Sequence, residues 1–162
     1  MPDSLKTELA AILKAHSDHA QNEAYESTLA EQRRNEVRET FRNFKDKVVW
    51  PAMSESSDML AEDGHQVQIL RDEDVELPGG VPVRDIFIQM TVLKRGQIRQ
   101  RNETLPFIKF ALQGDAPKIT IQTKTRRTDT SSEGDASSID SYDKASVDTS
   151  LLGFLREVFA VA

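Results

Sequence analysis

Cysteine is absent from this chain of 162 residues, which excludes disulfide bridges and thiolate chemistry and is compatible with a reducing compartment. The N-terminus, MPDSLKTEL, lacks the basic and then apolar pattern of a secretory signal. Long apolar runs are missing as well, since none approaches the ~20 residues that a membrane-spanning helix needs. We therefore predict a cytoplasmic protein with no transmembrane segment.

An excess of positive charge is also absent. The formal net charge is -6 at pH 7, whereas domains that bind nucleic acid are generally basic. The composition therefore argues against nucleic acid as a partner. Apolar residues make up 38% of the chain and charged residues 30%, a balance that suits an elongated helical part better than one compact ball. The length is enough for one domain and short for two.

Catalytic signatures are missing from the sequence. It contains no G-x-S-x-G sequence, no glycine-rich phosphate loop and no dinucleotide fingerprint. Serines are abundant at 128–146, but irregular chain there holds no base that could activate a nucleophile. We predict no catalytic residue, no cofactor and no enzymatic activity, and keep as an alternative hypothesis a small enzyme whose site assembles only in the folded dimer.

Two groups of side chains offer metal-ligand chemistry without the spacing that metal sites use. His16, His19 and Glu23 share a helical face, but no fourth ligand accompanies them. The acidic run at 72–76 does not match the calcium-binding loop of an EF-hand. We predict solvated side chains at both places and no metal site.

Residues 22–64 follow helical spacing and predict one long amphipathic helix. At alternating steps of four and three, its stripe consists of Val37, Phe41, Phe44, Val48, Pro51, Glu55 and Met59. The charged residues between them, including Lys45, form a polar face. Pro51 lacks an N–H and crowds the carbonyl four residues earlier, so we predict a kink across which the stripe keeps its phase. Gly64 suits the left-handed residue that ends a helix.

A helical lead-in precedes this segment. Its apolar residues recur at the spacing of a helix, at Leu5, Leu9, Ile12 and Leu13. Asp3 or Ser4 can cap the start of this helix. Whether the helix breaks within 17–22 is open. A break allows a helical hairpin, whereas no break gives an arm of about 60 residues, roughly 90 Å long. Such an arm is stable only in contact with another chain.

After Gly64 the apolar period changes from that of a helix to that of a strand. Alternating segments at 65–70, 83–93, 105–112 and 118–124 predict strands, and the short turns between them predict an antiparallel meander. Residues 128–146 are rich in Ser, Asp and Thr and predict a flexible linker. Residues 147–160 predict a helix, capped by Asp148 or Thr149, that docks on its own sheet, on a partner chain or, with Arg156 as its single basic residue, on a membrane surface.

The resulting prediction is an α+β protein with one structural domain overall. Its parts are an N-terminal helical arm at 1–63, a four-stranded antiparallel meander at 64–127, the linker at 128–146 and a C-terminal helix at 147–162.

For function we predict a non-enzymatic interaction or assembly protein that self-associates as a homodimer through its long helix, in the manner of a coiled coil. Because aromatic anchors dominate such interfaces, the predicted contact consists of Val37, Phe41, Phe44, Val48, Trp50 and Met59.

A second hypothesis follows from the meander, which brings basic residues of different strands to one end of the sheet. This basic pole consists of Lys94, Arg95, Arg99, Arg101, Lys124, Arg126 and Arg127. It would dock an acidic protein partner, a nucleic-acid backbone or another anion, or the acidic linker of the same chain.

A third surface lies on the outer face of the predicted sheet, on Phe87, Leu93, Leu105 and Phe107. If both helices cover the inner face, this patch is exposed and available to a partner. If one helix covers each face, the patch belongs to the core.

Overall fold

The computed structural model of the chain describes residues 3–75, 77–80, 85–98, 105–114, 116–125, 132–134 and 136–160. The chain divides into two compact units, of which the first ends at Glu36 and the second begins at Val37. Helix α1, Asp3–Phe44, is one unbroken element that starts in the first unit. It contains no glycine or proline, so nothing in its sequence breaks the winding at 17–22.

A π-helical turn, Lys45–Val49, follows α1 and leads into helix α2, Trp50–Glu62. The Trp50 N–H donates to the Lys45 carbonyl, five residues earlier. Pro51 has no N–H for a regular α-helical bond, and the wider turn directly before it accommodates that loss. The predicted interruption near Pro51 therefore takes the form of a π turn.

This π turn inserts one extra residue into the winding and so shifts the buried face of α2. Val49 and Ala52 are buried where the predicted stripe had Val48 and Pro51. Further along, Ser56 and Leu60 are half-buried, whereas Glu55 and Met59 are exposed. The prediction that the stripe keeps its phase across the proline is wrong, because every side chain after the turn is displaced by one position.

Gly64 ends α2 as predicted. It has a φ of 86°, in the left-handed region, and its N–H donates to the Ala61 carbonyl. The His65 N–H donates to the Leu60 carbonyl at 3.1 Å. These two bonds form a Schellman motif, which satisfies carbonyls at the end of the helix.

The predicted antiparallel meander is confirmed. Its main strands are β1 Gln66–Arg71, β2 Phe87–Leu93, β3 Phe107–Leu112 and β4 Lys118–Lys124. They pair in sequence order, with Val67 opposite Val92, Met90 opposite Ile108, and Phe110 opposite Ile121. Two short strands, β5 Ser132–Glu133 and β6 Ser137–Ser138, both pair with β4.

One face of the sheet carries the core. Ile88, Met90, Ile108 and Phe110 alternate along the central strands and are fully buried. They form one cluster with residues of α1, α2 and the last helix, namely Phe41, Phe44, Met53, Val147, Leu151, Phe154 and Val158. Both α2 and the last helix therefore cover the same face.

The segment predicted as a flexible linker contributes regular structure where it is described. Besides β5 and β6 it forms a 3₁₀ turn, Ile139–Ser141, with Ile139 buried in the core. The last helix, α3, spans Lys144–Val158 and is capped by Asp143, whose carboxylate accepts the Ser146 N–H at 2.8 Å. The cap therefore lies at Asp143 and not at the predicted Asp148 or Thr149, and the helix starts earlier than predicted.

Candidate functional site

The predicted contact residues of the long helix lie mostly inside the second unit. Phe41 and Phe44 have 0% and 7% of their surface exposed and belong to the core cluster. Val37, Val48 and Trp50 are half-buried against that cluster. These positions pack in or against the core cluster of the second unit, and the two buried phenylalanine rings offer no surface to a second copy.

Met59 differs from the rest of that set, because 66% of its surface is exposed. It lies beside a cleft of about 210 Å³ between α2 and α3. The α2 wall consists of Ala52, Glu55, Ser56 and Met59, and the α3 wall of Asp148, Leu151, Leu152 and Leu155. Leu152, on the opposite wall, is also exposed. We call this feature the α2–α3 groove.

The first unit carries a second apolar surface, which we call the α1 stripe: Leu5, Leu9, Ile12 and Leu13. Their side chains are between 45% and 64% exposed. The spacing of i, i+4, i+7 and i+8 places them on one helix face over about two turns. Within residues 3–36 no side chain is buried, and only Leu29 is half-buried. The α1 stripe thus has no cover within its unit.

Sequence periodicity identifies the α1 stripe as one side of a helix, but it does not show that the side stays uncovered. That result depends on the missing break at 17–22, because a break would have allowed the stripe to fold back as a hairpin. The absence of glycine and proline from 3–44 was the available signal.

Lys45 is the one fully buried charged residue in the described part of the chain, and sequence spacing had placed it on the polar face. Its Nζ donates to Asp72 Oδ1 at 3.0 Å and also to Glu73 Oε1. Asp72 Oδ1 in addition accepts the Phe87 N–H at 3.1 Å. The predicted solvated acidic loop therefore supplies the counter-charges of a buried ammonium and links the π turn to the start of β2.

A second ion pair adjoins this cluster. The Arg71 guanidinium lies 4.4 Å from the centroid of the Trp50 ring and donates through Nε to Asp74 Oδ2 at 3.2 Å. The side-chain hydrogen bond from Arg71, followed by the one from its backbone N–H, lowers the pKa of Asp74 below its ordinary value. The same side-chain bond raises the pKa of Arg71. These contacts hold the 3₁₀ turn Asp72–Asp74 against the π turn. The charged groups of this cluster are paired with one another, which is typical of a cluster with a structural role.

Three members of the predicted basic pole lie within the described residues. Lys94 and Arg95 follow β2 and Lys124 ends β4, and the strand register places these ends on the same side of the sheet. The Lys94 ammonium lies 5.9 Å from the centroid of the Phe159 ring. The Arg95 N–H donates to His65 Nδ1 at 2.9 Å. The other four, Arg99, Arg101, Arg126 and Arg127, lie outside the described residues, so anion binding there stays a prediction.

The outer-face patch is not exposed although both helices lie on the other face. Phe87, Leu105 and Phe107 are buried, and Leu93 is half-buried. The Lys109 ammonium lies 4.6 Å from the centroid of the Phe87 ring, so its side chain covers that ring. Of the two alternatives for this patch, neither holds in full: both helices cover the other face, yet the patch residues are buried or half-buried.

Among the described residues, no three His, Asp or Glu side chains group in a way that could hold a metal ion. His19 Nε2 lies 3.1 Å from Glu23 Oε1, one turn further along α1. In the same part of the chain, no helix combines the length and apolarity needed to cross a membrane.

Comparison of the chain with protein-family models, with curated proteins and with solved structures gives no match. The surfaces of the chain itself are therefore the basis for any statement about function.

Proposed function

We propose that this chain is a non-enzymatic assembly protein that self-associates through helix α1. The observation that carries the proposal is the α1 stripe, four large apolar side chains on one face of a helix whose described residues 3–36 include none that is buried. Contiguous exposed apolar surface is typical of interaction sites.

The energetics of an isolated helix support the proposal. Helical stability in proteins comes chiefly from packing of an amphipathic face, and helices without such packing are marginal in water. Full burial of a leucine or isoleucine side chain stabilises by about 1.5–3 kcal/mol. Docking of Leu5, Leu9 and Ile12 against a partner would therefore supply several kcal/mol toward holding the helix.

The experiment compares the full chain with the double variant Leu9→Lys/Ile12→Lys by analytical ultracentrifugation at micromolar concentrations. We expect a dimer for the natural chain and a monomer for the variant, because two ammonium groups on the stripe cannot be desolvated at low cost. Tyr25→Lys is the matched control, since Tyr25 is also exposed, at 66%, but helical spacing places it on the other side of the same helix.

A natural chain that sediments as a strict monomer at micromolar concentration would contradict the proposal. Equal loss of association in Tyr25→Lys would contradict the assignment to the α1 stripe, because the effect would then follow from charge on the helix and not from one face.

A further inference from the structure

Two exposed apolar features lie in the two units of the same chain. The α1 stripe belongs to the first unit, and the α2–α3 groove belongs to the second. Each feature contains apolar side chains that are more than half exposed. These are Ile12 and Leu13 on the stripe, and Met59 and Leu152 at the groove. Both features are therefore open to a partner in a single copy.

We propose that the α1 stripe of one copy docks in the α2–α3 groove of a second copy. This inference rests on the proposed self-association and names the surface that receives the helix. It commits to a second copy of this chain as the occupant.

The lengths of the two features match. From Leu5 to Leu13 the stripe advances by eight residue steps, or about 12 Å along a helix. The α2 wall of the groove runs from Ala52 to Met59 and the α3 wall from Asp148 to Leu155, seven residue steps each, or about 10 Å. A groove between two helices receives a third when rows of side chains at i, i+3/i+4 and i+7 interdigitate.

The chemistry of the groove also matches an apolar helix face with polar flanks. Its exposed apolar members, Met59 and Leu152, lie on opposite walls, so a docked leucine contacts both helices. Methionine suits such a role because its flexible thioether side chain adapts to the shape of a neighbour. The charged members of the lining, Glu55 and Asp148, are both anionic, whereas two cations and one anion adjoin the stripe in the sequence, Lys6, Lys14 and Glu8.

The absence of cysteine from the natural chain allows a direct test by disulfide cross-linking of full-length single variants. Leu9→Cys and Met59→Cys are purified separately, mixed, oxidised and resolved on a non-reducing gel. We expect a disulfide dimer from the mixture and little or none from either variant alone, since a disulfide forms only between Cα atoms about 4.4–6.8 Å apart. A mixture of Tyr25→Cys with Met59→Cys is the matched control and is expected to stay uncross-linked.

Substitutions at the groove supply an independent measurement. Met59→Lys should weaken dimerisation on the order of tenfold or more, and a factor of ten corresponds to about 1.4 kcal/mol. Leu77→Lys, at another exposed leucine of the second unit, should leave the dissociation constant unchanged. Trp50 fluorescence checks that each variant is folded.

The outcomes separate the inference from the function on which it rests. Cross-linking of Leu9→Cys with itself, together with no effect of Met59→Lys, would show that stripes pair with each other; the groove proposal would then be wrong and self-association through α1 would stand. A dimer that forms no disulfide in any mixture and tolerates Met59→Lys would also overturn the groove proposal. A monomeric natural chain would overturn both.

Discussion

Removal of the Lys45 side-chain charge tests whether the buried ion cluster holds the second unit together. In Lys45→Met the apolar stem is kept and the ammonium is lost, so Asp72 and Glu73 lose their shared partner. Asp72 has 10% of its side chain exposed and cannot rehydrate, whereas Glu73 is 47% exposed and can turn toward water. Breaking a buried pair by removing one partner costs about 3–5 kcal/mol. With only one stranded carboxylate, we expect the lower end, about 3 kcal/mol.

The assay is urea denaturation followed by the fluorescence of Trp50, the only tryptophan of the chain. Its ring lies against Arg71, next to the cluster. At a slope of about 1–3 kcal/mol per molar urea, a loss of about 3 kcal/mol lowers the midpoint by roughly 1–3 M. Lys47→Met is the matched control, because Lys47 belongs to the same π turn but is exposed; its midpoint should stay near that of the natural chain.

A compensating variant sharpens this test. Adding Asp72→Asn to Lys45→Met removes the stranded charge while an amide oxygen can still accept the Phe87 N–H, so part of the stability should return. If Lys45→Met costs less than about 1 kcal/mol relative to Lys47→Met, or if the added Asp72→Asn destabilises further, then the cluster is not the buried charge pair described here.

Two further predictions concern helix ends. Gly64→Ala should destabilise by about 1–2 kcal/mol in the same urea assay, because φ there is 86° and an added Cβ would lie 2.9 Å from Arg95 Cδ; an unchanged midpoint would contradict the Schellman ending. Asp143→Ala should lower stability at neutral pH, because the Ser146 backbone N–H, and then its hydroxyl, lower the pKa of the capping carboxylate. A carboxylate whose pKa is lowered by folding stabilises the folded chain at pH values above its ordinary pKa of about 3.9. That stabilisation is lost as the pH falls through the pKa of the folded chain. The gap between natural chain and variant should therefore narrow below about pH 4, and a gap independent of pH would contradict the capping role.

The strands and the end of α2 could be predicted because their signals are local. β4 begins at Lys118 and ends at Lys124 as the alternation indicates, and Gly64 adopts the backbone that its lack of a side chain permits. The start of α3 was predicted too late, because Asp148 and Thr149 can cap a helix as well as Asp143 does. Only the surrounding structure, with Val147 buried in the core, selects Asp143.

The π turn and the buried lysine could not be predicted with the same rules. A regular α-helical period places Pro51 and Glu55 on the apolar stripe. Neither residue suits an apolar face, and this mismatch indicates that the phase of the helix shifts near Pro51. Lys45 is buried because its partners come from 27 and 28 residues further along the chain. No local pattern connects a lysine in a helix with two acids beyond the next strand. The α2–α3 groove could not be predicted for a similar reason, because its two walls come from helices that are far apart in the sequence.

The π turn decides which methionine faces outward. Had the winding continued regularly from Phe44, Met59 would point at the sheet and Leu60 toward solvent. The additional residue before Pro51 reverses this, so the proline sets the composition of a surface two helical turns away. Met53, which is fully buried, and Met59, which is 66% exposed, owe their opposite surroundings to one widened turn of backbone.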